Sequence, residues 1–186
     1  DTPRRFDKIM DLRPAGDLNL ELIGPEKSIS DVLASGEVDA YFGARAPAAF
    51  FNSEDVVRLF PDYRAEERCY YKRTGIYPIM HTMIMREDFH QEHPWVAEAL
   101  FKGLSESKKW ALEQMRFSGA QRYMLPWMFA DIDEMDELFD GDPCPYGVEP
   151  NRKTLETALE YLVDQGFIEK AMDVDDLFTP IVGWTE

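Results

Sequence analysis

The stretch Asp142-Pro143-Cys144-Pro145-Tyr146-Gly147-Val148-Glu149-Pro150-Asn151-Arg152-Lys153-Thr154-Leu155-Glu156 constrains this chain more than any other. Three prolines fall within the nine residues 142–150. Each fixes φ and removes a backbone donor, so the segment reads as a stiff loop feeding a helix start rather than as regular structure. Such a loop presents Tyr146, Glu149 and Asn151 from a rigid backbone, and firmly held loops often carry function. Local physics offers a plainer account as well: Asn151 caps the following helix and Glu149 favours its positive end.

The rest of the chain is read from periodicity and breakers. Leu18–Ile23 alternates apolar and polar and stops at Gly24-Pro25, a strand and a break. Ser28 or Ser30 can cap a short helix through Leu33 that ends at Gly36. Val38–Gly43 reads as a buried strand, which gives a β-α-β order and a parallel sheet with a right-handed crossover. Tyr63–Tyr71 is a helix. Ile76–Met85 is the longest strand signal, placed by Pro78 at an edge or a crossover. A long helix runs from about Pro94 to Met115, with Trp95, Ala99, Leu100, Leu104, Lys108 and Ala111 tracing one mostly apolar face. Pro126 splits Tyr123–Ala130 into two short helices. Asp131–Leu138 and Arg152–Gln165 are amphipathic helices, the second ended by Gly166, and Asp173 caps a last turn.

Charge narrows the partners. The net charge of −16 argues against nucleic acid and against anionic membrane surfaces. It is uneven: residues 1–75 carry 11 basic and 14 acidic side chains, net −3, and residues 76–186 carry 9 and 22, net −13. An anionic ligand therefore needs a local cationic pocket, better supplied by the first part. No apolar run has the length of a membrane span. Cys69 and Cys144 stand outside metal-type spacings and read as free thiols in a reducing compartment.

Several residues carry chemistry in principle. Arg45 follows the Val38–Phe42 strand at a Pro47 turn, where a guanidinium can grip a carboxylate or simply pair with an acidic neighbour. His81 lies in an apolar strand, as a hydrogen-bonded core residue or as a proton donor near neutral pH. Arg73 stands where the two halves meet, facing a cleft or ending a helix favourably. Glu149 can act as acid, base or orienter of His81. His90 and His93 have i, i+3 spacing but precede a helix on a surface turn, and the acidic run 131–142 reads as a solvated face; no metal is expected at either.

The proline-rich run, with Gly75-Ile76-Tyr77-Pro78-Ile79-Met80-His81 upstream, resembles the 4,5-dihydroxyphthalate decarboxylase family. Gly36-Glu37-Val38-Asp39-Ala40, Leu59-Phe60-Pro61-Asp62-Tyr63-Arg64, His93-Pro94-Trp95-Val96-Ala97 and Met124-Leu125-Pro126-Trp127 also match, in order, over nearly the whole chain. The resemblance implies an α/β fold like the type II periplasmic binding proteins, with two lobes and a hinge near residues 74–78. Residues 1–75 are then the second lobe and 76–186 the C-terminal part of the first. The remainder of that lobe is expected upstream of Asp1-Thr2-Pro3, or a partner subunit covers the sheet. It further implies a cofactor-independent carboxy-lyase giving 3,4-dihydroxybenzoate and CO2 from 4,5-dihydroxyphthalate. For that reaction we expect Arg45 and Arg73 to hold carboxylate, His81 to deliver the proton, and Glu149, Tyr146 and Asn151 to orient substrate or acid. A cytoplasmic enzyme is expected. The alternative is a periplasmic solute-binding protein that takes a small aromatic carboxylate to an ABC-type transporter; a ligand-sensing domain of a regulator is a third reading.

Overall fold

A computed structural model of the chain describes residues 21, 23–117, 119 and 123–181. Side chains cap the start of the first and the last helix. Ser28 opens α1 (Ile29–Ala34) with a capping box: its hydroxyl accepts from the Asp31 amide, and the Asp31 carboxylate accepts from the Ser28 amide at 2.9 Å. Then come α2 (Ala48–Asn52), α3 (Tyr63–Thr74), α4 (Glu87–Glu92), α5 (Trp95–Arg116), α6 (Met128–Phe139), α7 (Arg152–Asp164) and α8 (Val174–Leu177). Asp173 caps α8 by accepting from the Asp175 amide. Gly75, at φ 67°, takes the left-handed conformation that ends α3, and Gly166, at φ 70°, follows α7 in the same way.

The expected two-lobed α/β fold is overturned. The described residues hold no strand or sheet, and 53% of them are helical. The Leu18–Ile23 segment falls mostly outside the described residues. For Val38–Phe42 the reason is local: the amides of Glu37 and Val38 both donate to the Val32 carbonyl, at 3.0 and 3.3 Å, so the chain folds back onto the end of α1 instead of offering a ladder. Ile76–Met85 forms no regular element. Its first amide donates to Thr74 Oγ1, Pro78 has no amide to give, and no neighbouring strand supplies partners. Met80, Met83 and Ile84 are consequently 73, 66 and 87% exposed. The Tyr123–Ala130 reading also changes: Pro126 sits in a turn, and a single helix, α6, starts after it.

The chain divides into two units, Asp1–Glu67 with Leu162–Glu169 and Arg68–Tyr161 with Lys170–Glu186. In the first, α1 packs on α2 around Val32 and Ala49, both buried, and buried Ser30 accepts from the Ala49 amide at 2.6 Å. Arg58 lies over the Phe50 and Tyr63 rings, 5.1 and 4.6 Å from their centroids.

In the second unit the buried apolar side chains are Met128 and Ile132 of α6, Leu159 of α7 and Val174 of α8. Tyr71 and Tyr77 bracket Phe139, with centroids 4.4 and 5.3 Å away. Arg68 pairs with Glu134, fastening α3 to α6, and Arg116 pairs with Asp136 and reaches the Gly141 carbonyl, fastening α5 to the end of α6. The face of α5 that packs differs from the one its spacing suggested. Trp95, Ala99, Leu100, Leu104 and Ala111 are exposed, whereas Ala97, Phe101, Ser105, Lys108 and Leu112 turn inward. Both stripes are apolar enough to pack, so the choice rests with what lies alongside.

Candidate functional site

Within the second unit the proline-rich run is a fastened loop, and each polar residue of its Glu149-Pro150-Asn151-Arg152-Lys153 segment secures something different. Residues Glu149–Asn151 form a 3₁₀ turn that leads straight into α7. Asn151 does not cap that helix with its oxygen. Its amide nitrogen donates backward to the carbonyls of Pro145 and Gly147, at 2.7 and 2.9 Å, and so closes the loop on itself. The Arg152 guanidinium bridges Glu149, at 2.5 Å, and Asp175 on α8, at 2.7 Å. Lys153 donates to the carbonyl of Thr74, the last residue of α3, next to Gly75.

Lys108 of α5 holds the other end of the loop. Its ammonium donates to Asp142 Oδ2 at 2.5 Å and to the Cys144 carbonyl at 3.1 Å, and it lies 4.1 Å from the centroid of the Tyr146 ring. The side chain is only 16% exposed. Gly147 takes φ 101°, a conformation that favours glycine, with the Phe101 ring at ordinary contact distance from where a Cβ would stand. Tyr146, beside it, is 39% exposed.

The electrostatics separate anchors from reactive groups. The hydrogen bond from Arg152, and then its charge, hold the Glu149 carboxyl below the usual range. Hydrogen bonds to Glu149 and Asp175 push the Arg152 guanidinium further up. Burial, and then the Asp142 charge, raise the Cys144 thiol against the opposing pull of Lys108, which suits an inert thiol rather than a nucleophile.

The other residues singled out from sequence fall as follows. His81 is exposed in the extended segment after Gly75. Arg73 is exposed near the end of α3, its guanidinium 5.9 Å from the Tyr70 centroid. Arg45 is exposed on a bend of the first unit. The structure brings Tyr146, Glu149 and Asn151 together in one loop. His93 ends α4 and stacks edge-on against Phe89, 4.9 Å between centroids. Among the described residues no His, Cys, Asp and Glu group has the makings of a metal site. Of the acidic run, Asp136 and Asp142 are taken up by Arg116 and Lys108. A concavity of about 390 Å³ opens beside Trp95, His90 and Pro180.

Sequence reasoning missed Lys108 and Lys153 as members of this site. The available signal was a lysine set in an otherwise apolar stripe of α5, a position that a charge occupies only with partners.

No family model matches the chain. It is similar to the 4,5-dihydroxyphthalate decarboxylase of Comamonas testosteroni, 30% identical over 179 residues, which are 96% of this chain and 54% of that protein. The chain thus spans about half the length of the curated relative it matches. The resemblance drawn from the motifs extends across nearly the whole sequence.

Proposed function

We propose that the protein is a carboxy-lyase acting on 4,5-dihydroxyphthalate or a closely similar aromatic dicarboxylate. The observation that supports this reading is the 30% identity, spread over 96% of the chain, to a decarboxylase of that name. The chemistry asks little of the protein. In such a substrate one carboxylate is para to a hydroxyl, which pushes electrons to the ring carbon bearing that carboxylate. A general acid protonates the carbon, the C–CO2 bond breaks, its electron pair restores the aromatic ring, and CO2 leaves.

We assign the proton to His81, whose imidazole is the side chain most often used as a general acid. Glu149 is the poorer acid because Arg152 keeps it ionised; its role is to fix the turn below Tyr146. Arg73 is the candidate for the retained carboxylate, and Tyr146 contributes an exposed phenol for the ring hydroxyls.

The intact protein is to be incubated with 4,5-dihydroxyphthalate in D2O, following CO2 release and deuterium in the product ring. Turnover is expected, with one deuteron at the vacated carbon. His81→Ala should leave binding nearly intact and lower kcat by roughly 10²–10⁴-fold, the usual contribution of a positioned acid. Binding without CO2 release by the wild type would overturn the enzyme reading, and equal turnover by His81→Ala would remove His81 from the mechanism.

A further inference from the structure

We propose that Lys108 is a positioning residue: it clamps the loop Asp142–Gly147 so that Tyr146 is presented to the substrate in one orientation. This deepens the decarboxylase reading and rests on it where it speaks of substrate.

A lysine ammonium has three N–H groups and no acceptor. Two of them meet Asp142 Oδ2 and the Cys144 carbonyl, at 2.5 and 3.1 Å. The third direction is filled by the Tyr146 ring face, with the nitrogen 4.1 Å from its centroid. That distance is well inside the roughly 6 Å range of cation–π attraction. The ammonium has no donor to spare for a substrate carboxylate, and Asp142 already balances its charge. Lys108 is therefore not a substrate cation. What it touches is a carboxylate, a carbonyl and a ring, at the start, the middle and the working residue of one loop.

The loop needs such a clamp. Pro143 and Pro145 cannot donate backbone hydrogen bonds, and the Cys144 amide turns inward to Asp142 Oδ1 at 3.1 Å. Asn151 holds the Pro145 and Gly147 carbonyls from the other side. Between these two anchors lies Tyr146, which no described hydrogen bond holds, so its ring orientation depends on Lys108 above it. The donor sits on the fourth turn of a long helix, a rigid base from which to aim a side chain.

The test separates positioning from folding and from the decarboxylase reading. Lys108→Met keeps the aliphatic stem and removes the three donors. In the intact enzyme it should raise KM for 4,5-dihydroxyphthalate about tenfold and leave kcat within about threefold, since the proton comes from elsewhere. In a Tyr146→Leu background the same change should have almost no further effect on KM, because the residue it acts through is gone. Amide hydrogen exchange should accelerate at Cys144, whose amide donates to Asp142, while the α5 amides keep their protection. Asp142→Asn, which keeps the fold of α5 untouched, serves as the second variant and should shift KM in the same direction. Unchanged KM and unchanged loop exchange in an active Lys108→Met enzyme overturn the clamp. Additive effects of Lys108→Met and Tyr146→Leu overturn the route through Tyr146. A wild type that releases no CO2 sinks the decarboxylase reading and the substrate clause with it, while accelerated loop exchange in Lys108→Met would still establish the clamp.

Discussion

Replacing Asn151 with aspartate changes one atom pair and inverts its hydrogen-bonding sense. The wild-type amide donates to two carbonyls, at 2.7 and 2.9 Å, in a partly buried place. A carboxylate of the same shape can only accept, so both bonds vanish and an anion faces two carbonyl oxygens. Two lost hydrogen bonds cost about 1–3 kcal/mol, and the unpaired charge adds a comparable penalty, for a total of about 2–6 kcal/mol. In a chain of this size that is a fall in Tm of roughly 4–24 °C. Asn151→Ala removes the bonds without the charge and should lose only about 1–3 kcal/mol. The pH dependence distinguishes the two. The carbonyls disfavour the charged form, so the introduced carboxyl has a folded-state pKa above its unfolded one. Its neutral form can donate again, so the variant regains stability relative to wild type as pH falls and loses it as pH rises through the folded value. Thermal unfolding of wild type, Asn151→Asp and Asn151→Ala at pH 7.5 and 5.5 reads both effects. If Asn151→Asp melts with the wild type at pH 7.5, or if its deficit is the same at both pH values, Asn151 does not donate to the loop as described.

Two further outcomes follow from the same unit. The Glu149 carboxyl is lowered by Arg152, so the stabilisation from this pair is full above the ordinary glutamate range and is lost as pH falls through the depressed folded value; carboxyl NMR titration should show Glu149 moving back up in Arg152→Met, and an unchanged titration would remove Arg152 as the cause. Gly75→Ala places a side chain in a left-handed position, φ 67°, that has open space apart from Lys153 Nζ at 4.0 Å, so it should cost about 1–2 kcal/mol through backbone strain alone; urea unfolding at wild-type stability would show that the turn can relax.

The sequence by itself determined the features that close within a few residues. Ser28 with Asp31, Asp173 with Asp175, and the glycines after α3 and α7 specify helix ends because cap and capped group are neighbours in the chain. The stiffness of 142–150 follows likewise from three prolines whose effect needs no partner. Tertiary structure decided everything that needed one. Val38 and Ile76 have strand-like patterns, but a strand exists only where a second chain segment answers its amides, and here those amides turn to Val32 and Thr74. Of the stripe that spacing marks on α5 only Lys108 turns inward, where the loop 34 to 36 residues downstream supplies its partners. Glu149 read as an acid, a base or an orienter until Arg152 was found to bind it together with Asp175, which lies 23 residues beyond that arginine. Periodicity records which side of an element is apolar; only the folded chain supplies the group that meets it.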